Sequence, residues 1–331
     1  MKLFTTQWPF LCLILFALIF GLCPFVEAQQ STKIPRIGYL NPRSGPGTRE
    51  DAFRQGLRDL GYIEGKNIVI EYRWASGNYD RLPALAAELA HLKVDVFVTA
   101  ATRPTLAAKE ASATTPIVMA EVGDPVAVGL VASLAHPGGN ITGLTVYSSE
   151  LTGKRLQILK EMLPRALHIG ALASPPSTIY GEVFVRETEV AARELGLQLT
   201  PQLVGSSSQF DGAFAAFAKE KAHAVIVQIS PVFMDHRKRI VELAAKRRLP
   251  AMYEDNMFPD AGGLMSYGPN HENLYRRAAT YVDKILKGVK PADLPVEQPT
   301  RIELTINLKA AKEIGLAIPP NVLARADKVI K

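Results

Sequence analysis

The chain has 331 residues, a formal net charge of +6, 47% apolar residues and two cysteines. That length sets an expectation of two domains, each able to bury a core without disulfide staples. The densest basic run, His236-Arg237-Lys238-Arg239, opens a predicted helix and leads into apolar Ile240, Val241 and Leu243, so it reads as a solvated helix face. With no patch that interleaves basic and aromatic residues, nucleic acid is not an expected partner.

The N-terminus comes first in chain order. Lys2 precedes an almost unbroken apolar run from Trp8 to Phe20, followed by Gly21, Pro24 and Val26-Glu27-Ala28. This is the layout of a secretory signal spanning residues 1–28, cleaved after Ala28. Its apolar core falls short of the roughly 20 residues of a stable membrane span. Two alternatives stay open: a lipid-anchored Cys23, although Leu22 stands where a small residue is wanted, and an uncleaved anchor. Cys12 and Cys23 both lie in this segment, so the processed chain has no cysteine for a disulfide, a thiolate metal site or a nucleophile.

From Lys33 onward, short Ile- and Val-rich runs alternate with amphipathic stretches. The pattern predicts strands at Ile34–Leu40, Ile68–Trp74, Val94–Thr99, Ile117–Ala120 and Ile141–Val146. Helices are predicted between them at Arg49–Leu60, Arg81–Leu92, Pro104–Ala111 and Pro125–Leu134. The cycle restarts with a helix at Leu151–Met162. Strands follow at His168–Ala173, Leu197–Val204, Ala224–Ile229 and Ala251–Tyr253, with helices at Val183–Leu195, Phe210–Lys219, Val232–Arg247 and Asn273–Leu286. After a Pro-rich linker come a strand at Arg301–Ile306 and a helix to Ile314, free to complete either half. Strands apolar on both faces and separated by helices imply parallel sheets covered on both sides. The expected organisation is an N-terminal α/β lobe at 33–147, a C-terminal α/β lobe at 148–290, and a linker, returning strand and helix at 291–331, with a cleft between the lobes at the carboxyl ends of the strands.

Motifs of catalysis are incomplete. Gly45-Pro46-Gly47-Thr48-Arg49-Glu50 has the first two glycines of a dinucleotide fingerprint, but Glu50 in place of the third would repel a pyrophosphate. In Gly138-Gly139-Asn140-Ile141-Thr142-Gly143 the second glycine position is Asn140. Leu264-Met265-Ser266-Tyr267-Gly268 lacks the first glycine of a nucleophile elbow. The six histidines are scattered without metal-ligand spacing. The sequence therefore predicts no enzyme, no cofactor and no metal.

The strings Pro35-Arg36-Ile37-Gly38-Tyr39-Leu40, Phe53-Arg54-Gln55-Gly56-Leu57-Arg58-Asp59-Leu60-Gly61-Tyr62 and Ile70-Glu71-Tyr72-Arg73-Trp74 resemble the ABC-transporter substrate-binding family, which includes tryptophan-binding lipoproteins. The resemblance continues at Gly123-Asp124-Pro125-Val126, at Pro137–Gly143, at Leu264–Gly268 and from Ile302 to Gly315. It implies a type I periplasmic binding fold: two Rossmann-like lobes, a three-segment hinge and a small molecule enclosed between them. It further implies a monomer in the periplasm and an ABC permease of the inner membrane as partner. An amino acid or aromatic carboxylate is the ligand that relatives suggest. A ligand sensor on the same fold is the alternative, and an α/β enzyme the third reading.

In such a cleft, loops past strand ends carry specificity. They offer Asn41, Ser44, Ala101, Thr102, Glu121, Asp124, Ser174, Tyr180, Ser230, Glu254 and Asp255 as ligand contacts. Helix-opening loops supply amides for a carboxylate, with Thr102 and Ser44 adding hydroxyls. Asp124 before Pro125 equally fits a helix cap. Tyr180 and Tyr253 are candidates to stack on a ligand, with core packing favoured for Tyr253; Trp74 is read as packing. For an amino-acid ligand the resemblance points to Asp255, then Glu254, as partner of the ammonium group. Intact-mass measurement of the exported protein is expected to give a chain beginning near Gln29 without an acyl group; a diacylglycerol on Cys23 overturns this.

Overall fold

Strand β1 (Arg36–Asn41) is buried from Ile37 to Asn41, as a central strand covered on both faces must be. The computed structural model describes residues 33–146, 149–175 and 179–331. The segment read from sequence as a secretory signal, residues 1–28, lies outside the described residues.

β1 pairs in parallel with β2 (Val69–Trp74) on one side and β3 (Val96–Ala100) on the other. β4 (Ile117–Val122) and β5 (Ile141–Thr145) complete a five-stranded sheet of order β2-β1-β3-β4-β5. Alternation sends Val96, Val98, Val118 and Ala120 into one core, against α1 (Thr48–Asp59). Phe97, Ile117 and Met119 enter the other, against α2 (Leu82–His91) and α3 (Thr102–Ala111). The first core needs a second covering helix. It comes from far along the chain: Leu274, Ala278, Tyr281, Val282 and Ile285 of α10 (His271–Leu286) all lie in it. The apolar face of this predicted amphipathic helix is thus its buried face, though chain order alone had placed it in the second lobe. Close packing on α1 is possible because Gly56 has no side chain. A Cβ there would lie 2.6 Å from the Arg276 carbonyl and 2.9 Å from the Ala279 Cβ.

The second lobe opens with α4 (Ser149–Met162), β6 (His168–Ala173), α5 (Ile179–Glu194), β7 (Gln198–Leu203), α6 (Phe210–Lys219) and β8 (Ala224–Val227). It continues through α7 (Pro231–Asp235), α8 (Arg237–Lys246), β9 (Ala251–Tyr253), α9 (Met257–Asp260) and β10 (Met265–Pro269). The chain then visits the first lobe and returns as β11 (Ile302–Asn307), α11 (Leu308–Glu313), α12 (Pro320–Leu323) and β12 (Lys328–Ile330). The sheet order is β12-β11-β10-β9-β8-β6-β7, parallel except where β11 runs antiparallel to β10. The late strand therefore completes the second sheet.

The chain crosses between lobes three times: from β5 to α4, from β10 to α10, and from Glu297 to β11. The first and third run side by side, with Thr145 donating to the Glu297 carbonyl at 3.0 Å and Glu297 to the Gly143 carbonyl at 2.9 Å. Two predicted helices differ from the structure. Pro125–Leu134 is a set of turns, halted by Gly129 at φ +67° after a single turn closed by Val128 onto the Asp124 carbonyl. Val232–Arg247 breaks at His236, whose ring meets Phe210 edge-on, into α7 and α8. Leu264–Gly268 is mostly strand, so Ser266 stands on no nucleophile elbow.

Gly56→Leu is expected to destabilise the protein by about 1–3 kcal/mol, the usual penalty of overpacking, read as a lower urea midpoint. A wild-type midpoint would mean that α10 does not depend on this close approach.

Candidate functional site

Both sheets reverse their strand order next to the strand that opens them, the first between β1 and β3, the second between β6 and β8. At such a point neighbouring loops diverge and leave a crevice. The two crevices face each other and form one cavity of about 360 Å³. Loops after β1, β3 and β4 line one side, and loops after β6 and β8 the other.

On the first-lobe side, β1 ends at buried Asn41, whose side chain accepts the Arg43 amide at 2.9 Å and donates to Glu50 at 3.1 Å. Glu50 is wholly buried. It takes two hydrogen bonds from the Arg43 guanidinium at 2.6 and 2.8 Å, one from the Tyr39 hydroxyl at 2.7 Å and one from the Gly47 amide at 2.7 Å. The near-fingerprint turn is thus a capped helix start, its third position filled by a fully engaged carboxylate. After β3, Ala101 adopts φ +69°, a left-handed conformation rare for alanine. Among the described residues no side chain caps α3, so the positive end of this ten-residue helix opens at the cavity through Ala101, Thr102 and Arg103. The Arg103 guanidinium lies 4.9 Å above the Tyr79 ring. Burial pushes the Tyr79 hydroxyl up to about 12, so Tyr79 presents a neutral ring. Asp124 caps the turn that follows β4, its Oδ1 accepting the Val126 and Ala127 amides at 3.0 Å each.

The same wall carries a charged cluster, of which Arg49, Glu121 and His271 line the cavity. Arg49, only 2% exposed, binds both oxygens of Glu121 at 2.8 Å and reaches across to Asp255 of the second lobe. Glu121 also accepts from His271 Nδ1 at 2.7 Å and from the Tyr275 hydroxyl at 2.9 Å. Burial alone would raise the Glu121 carboxyl, but the Arg49 guanidinium and His271 hold it well below the usual carboxylate range.

On the second-lobe side, Ser174 and Ser230 line the cavity; Ser230 caps α7 through the Phe233 amide at 3.2 Å. Tyr180 lies over Gly123 of the first lobe, where a Cβ would sit 3.5 Å from its ring. Its hydroxyl donates to Glu254 at 3.1 Å, and burial with that neighbouring carboxylate pushes the phenol well above its ordinary range. Glu254 is fully committed: Arg155 at 2.5 Å, the Ile229 amide at 2.6 Å and Tyr180 surround it. The lobes are therefore closed on the cavity, with Tyr180 meeting Gly123, Arg49 meeting Asp255, and Ser44 donating to Asp235 at 3.3 Å.

Of the residues expected from sequence, Asn41, Ala101, Thr102, Glu121, Asp124, Ser174, Tyr180 and Ser230 line the cavity. Three do not. Ser44 is spent on the inter-lobe bond at its rim, and Glu254 and Asp255 are 2% and 0% exposed, each already paired with an arginine. Tyr253 is core, stacked on Phe258 at 4.5 Å. Arg43, Arg49, Tyr79, Met234 and His271 were missed as cavity residues. Arg49 read from sequence only as the first residue of a helix, and His271 stood just ahead of a predicted helix start; nothing local marks either.

Two parallel-sheet lobes closed over one cavity at their switch points define a type I periplasmic binding protein. The chain belongs to the ABC transporter substrate binding protein family, whose model matches residues 43–330. It is 26% identical over 264 residues, 80% of this chain and 75% of the relative, to the tyrosine-binding protein of Clostridioides difficile strain R20291. A conserved domain protein from Vibrio cholerae superposes with a TM-score of 0.83 at 29% identity, over 90% of this chain and all (100%) of the other. An ABC domain in complex with L-Trp from Streptococcus pneumonia gives 0.83 at 26% identity, over 89% and 99%.

Glu254→Ala leaves Arg155 buried without its partner and is expected to lower stability by about 3–5 kcal/mol, measured by denaturant unfolding. A loss under about 1 kcal/mol, the level of an exposed pair, would show that the pair is not buried in solution.

Proposed function

We propose that this protein is the extracytoplasmic solute-binding component of an ABC importer and that it captures an aromatic amino acid. The carrying observation is the cavity itself: Tyr79, Leu106, Val128, Tyr180 and Ile229 give it an aromatic and apolar body, and the uncapped start of α3 adds a positive pole at one end. A carboxylate on the first-turn amides and the Thr102 hydroxyl leaves the ring between Tyr79 and Tyr180. The relatives named for tyrosine and bound to L-Trp support an aromatic amino acid.

The ammonium group needs a partner as closure strips its water. Asp255 and Glu254, the first choices from sequence, sit behind the cavity wall with their arginines. Asp124 lines the cavity, and among the described residues its carboxylate meets two amides, both at Oδ1, and no cation. We assign the ammonium to Asp124. Delivery to a permease, a periplasmic location and a monomeric working state belong to the same reading. Among the described residues no helix is long and apolar enough to cross a membrane.

Calorimetric titration with L-tyrosine, L-tryptophan and 3-(4-hydroxyphenyl)propionate, which lacks the amine, tests the assignment. Asp124→Asn keeps the cap, since Asn caps as well as Asp. It is expected to weaken both amino acids by about 2–5 kcal/mol, the loss when a buried charge loses its partner, and to leave the amine-free acid unchanged. Equal losses for all three ligands would move the ammonium elsewhere. No binding of either amino acid by the wild-type protein would refute the ligand class.

A further inference from the structure

The charged cluster in the cavity wall, of which only Asp255 lies outside the lining, has a composition that its members do not require singly. Arg49 comes from the first turn of α1, Glu121 from the end of β4 and His271 from the first residue of α10. All three belong to the first lobe, and Asp255 alone comes from the second. Arg49 touches both carboxylates. His271 also faces both, its Nδ1 2.7 Å from Glu121 and its Nε2 3.2 Å from Asp255. The four side chains alternate base and acid around a ring in which Arg49, Asp255 and His271 are buried and Glu121 nearly so. Such a cluster is tolerable in the interior only when complete.

We infer that Asp255 is a latch: entering between Arg49 and His271 it completes the ring, and so sets how long the lobes stay closed on a ligand it does not touch. With Asp255 withdrawn, Arg49 and His271 share Glu121 alone. The inference rests on the cavity being the ligand site, but Asp255 lies outside that cavity's lining.

Asp255→Asn preserves the local turn, because the acid's Oδ1 accepts the Met257 amide at 2.8 Å and an amide oxygen can do the same. Stopped-flow and calorimetric titration of the purified protein with L-tryptophan is the first arm. Dissociation from the variant is expected to be about tenfold faster or more, with association little changed, as for a buried pair rather than a steering charge. Equal dissociation rates overturn the latch. If the wild type binds neither L-tryptophan nor L-tyrosine, the proposed ligand class fails and small-angle scattering of the ligand-free proteins decides. A larger radius of gyration for Asp255→Asn than for wild type supports the latch, and matching profiles overturn it.

Discussion

Everything at the centre of this molecule depends on one close contact, that of α10 with α1 over the bare backbone of Gly56. A parallel sheet has two apolar faces, and the first ninety residues of the folded chain provide helices enough for one and a part of the other. The remaining cover is brought back from beyond the second lobe. That return obliges the chain to leave the second sheet after β10 and re-enter it as β11, which creates the second and third crossings. It also delivers His271, the first residue of α10, beside Glu121. Packing and charge placement are consequences of the same contact.

The polar groups of the cavity divide by their partners. Glu50, Glu121, Glu254 and Asp255 are engaged by arginines and serve the walls. What remains for a ligand is the start of α3, the hydroxyls of Thr102 and Ser174, and Asp124, set among aromatic and apolar side chains. Water expelled by closure leaves those few groups in a low-dielectric space, where a mismatch in charge is severe. Selectivity in such a site comes as much from the arginine-paired state of the other acids, which leaves Asp124 as the free carboxylate among the described residues of the lining, as from the contacts that are made.

The architecture was legible in the sequence because it is written in periodicity. His168–Ala173, Phe210–Lys219 and Ala251–Tyr253 end where the apolar pattern ends, and the stripe of α10 is the face that packs. What periodicity cannot carry is the destination of an element: a stripe says that a helix is buried, not on which sheet. The turns at 125–134 were read as a helix because the local composition permits one, and Gly129 decided otherwise. Cavity residues at strand ends were legible by position, as with Thr102, Ser174 and Ser230. Asp255 was marked by the resemblance as a ligand acid, and its burial against Arg49 was not legible, since that partner lies 206 residues away. Arg49 and His271 had no local mark, because their role exists only once the lobes meet.

The triple crossing has a consequence for biosynthesis. Neither lobe is a contiguous piece of chain, so neither can finish as it emerges. The face of the first sheet later covered by α10 stays partly bare until nearly all of the second lobe has been made. The second sheet in turn waits for its last strands. A chain that completes both cores only at its C-terminal end remains in a loosely assembled state throughout elongation, with apolar surface available to holding factors. Completion at the very end of the chain lets both halves lock almost together once the last strands are made.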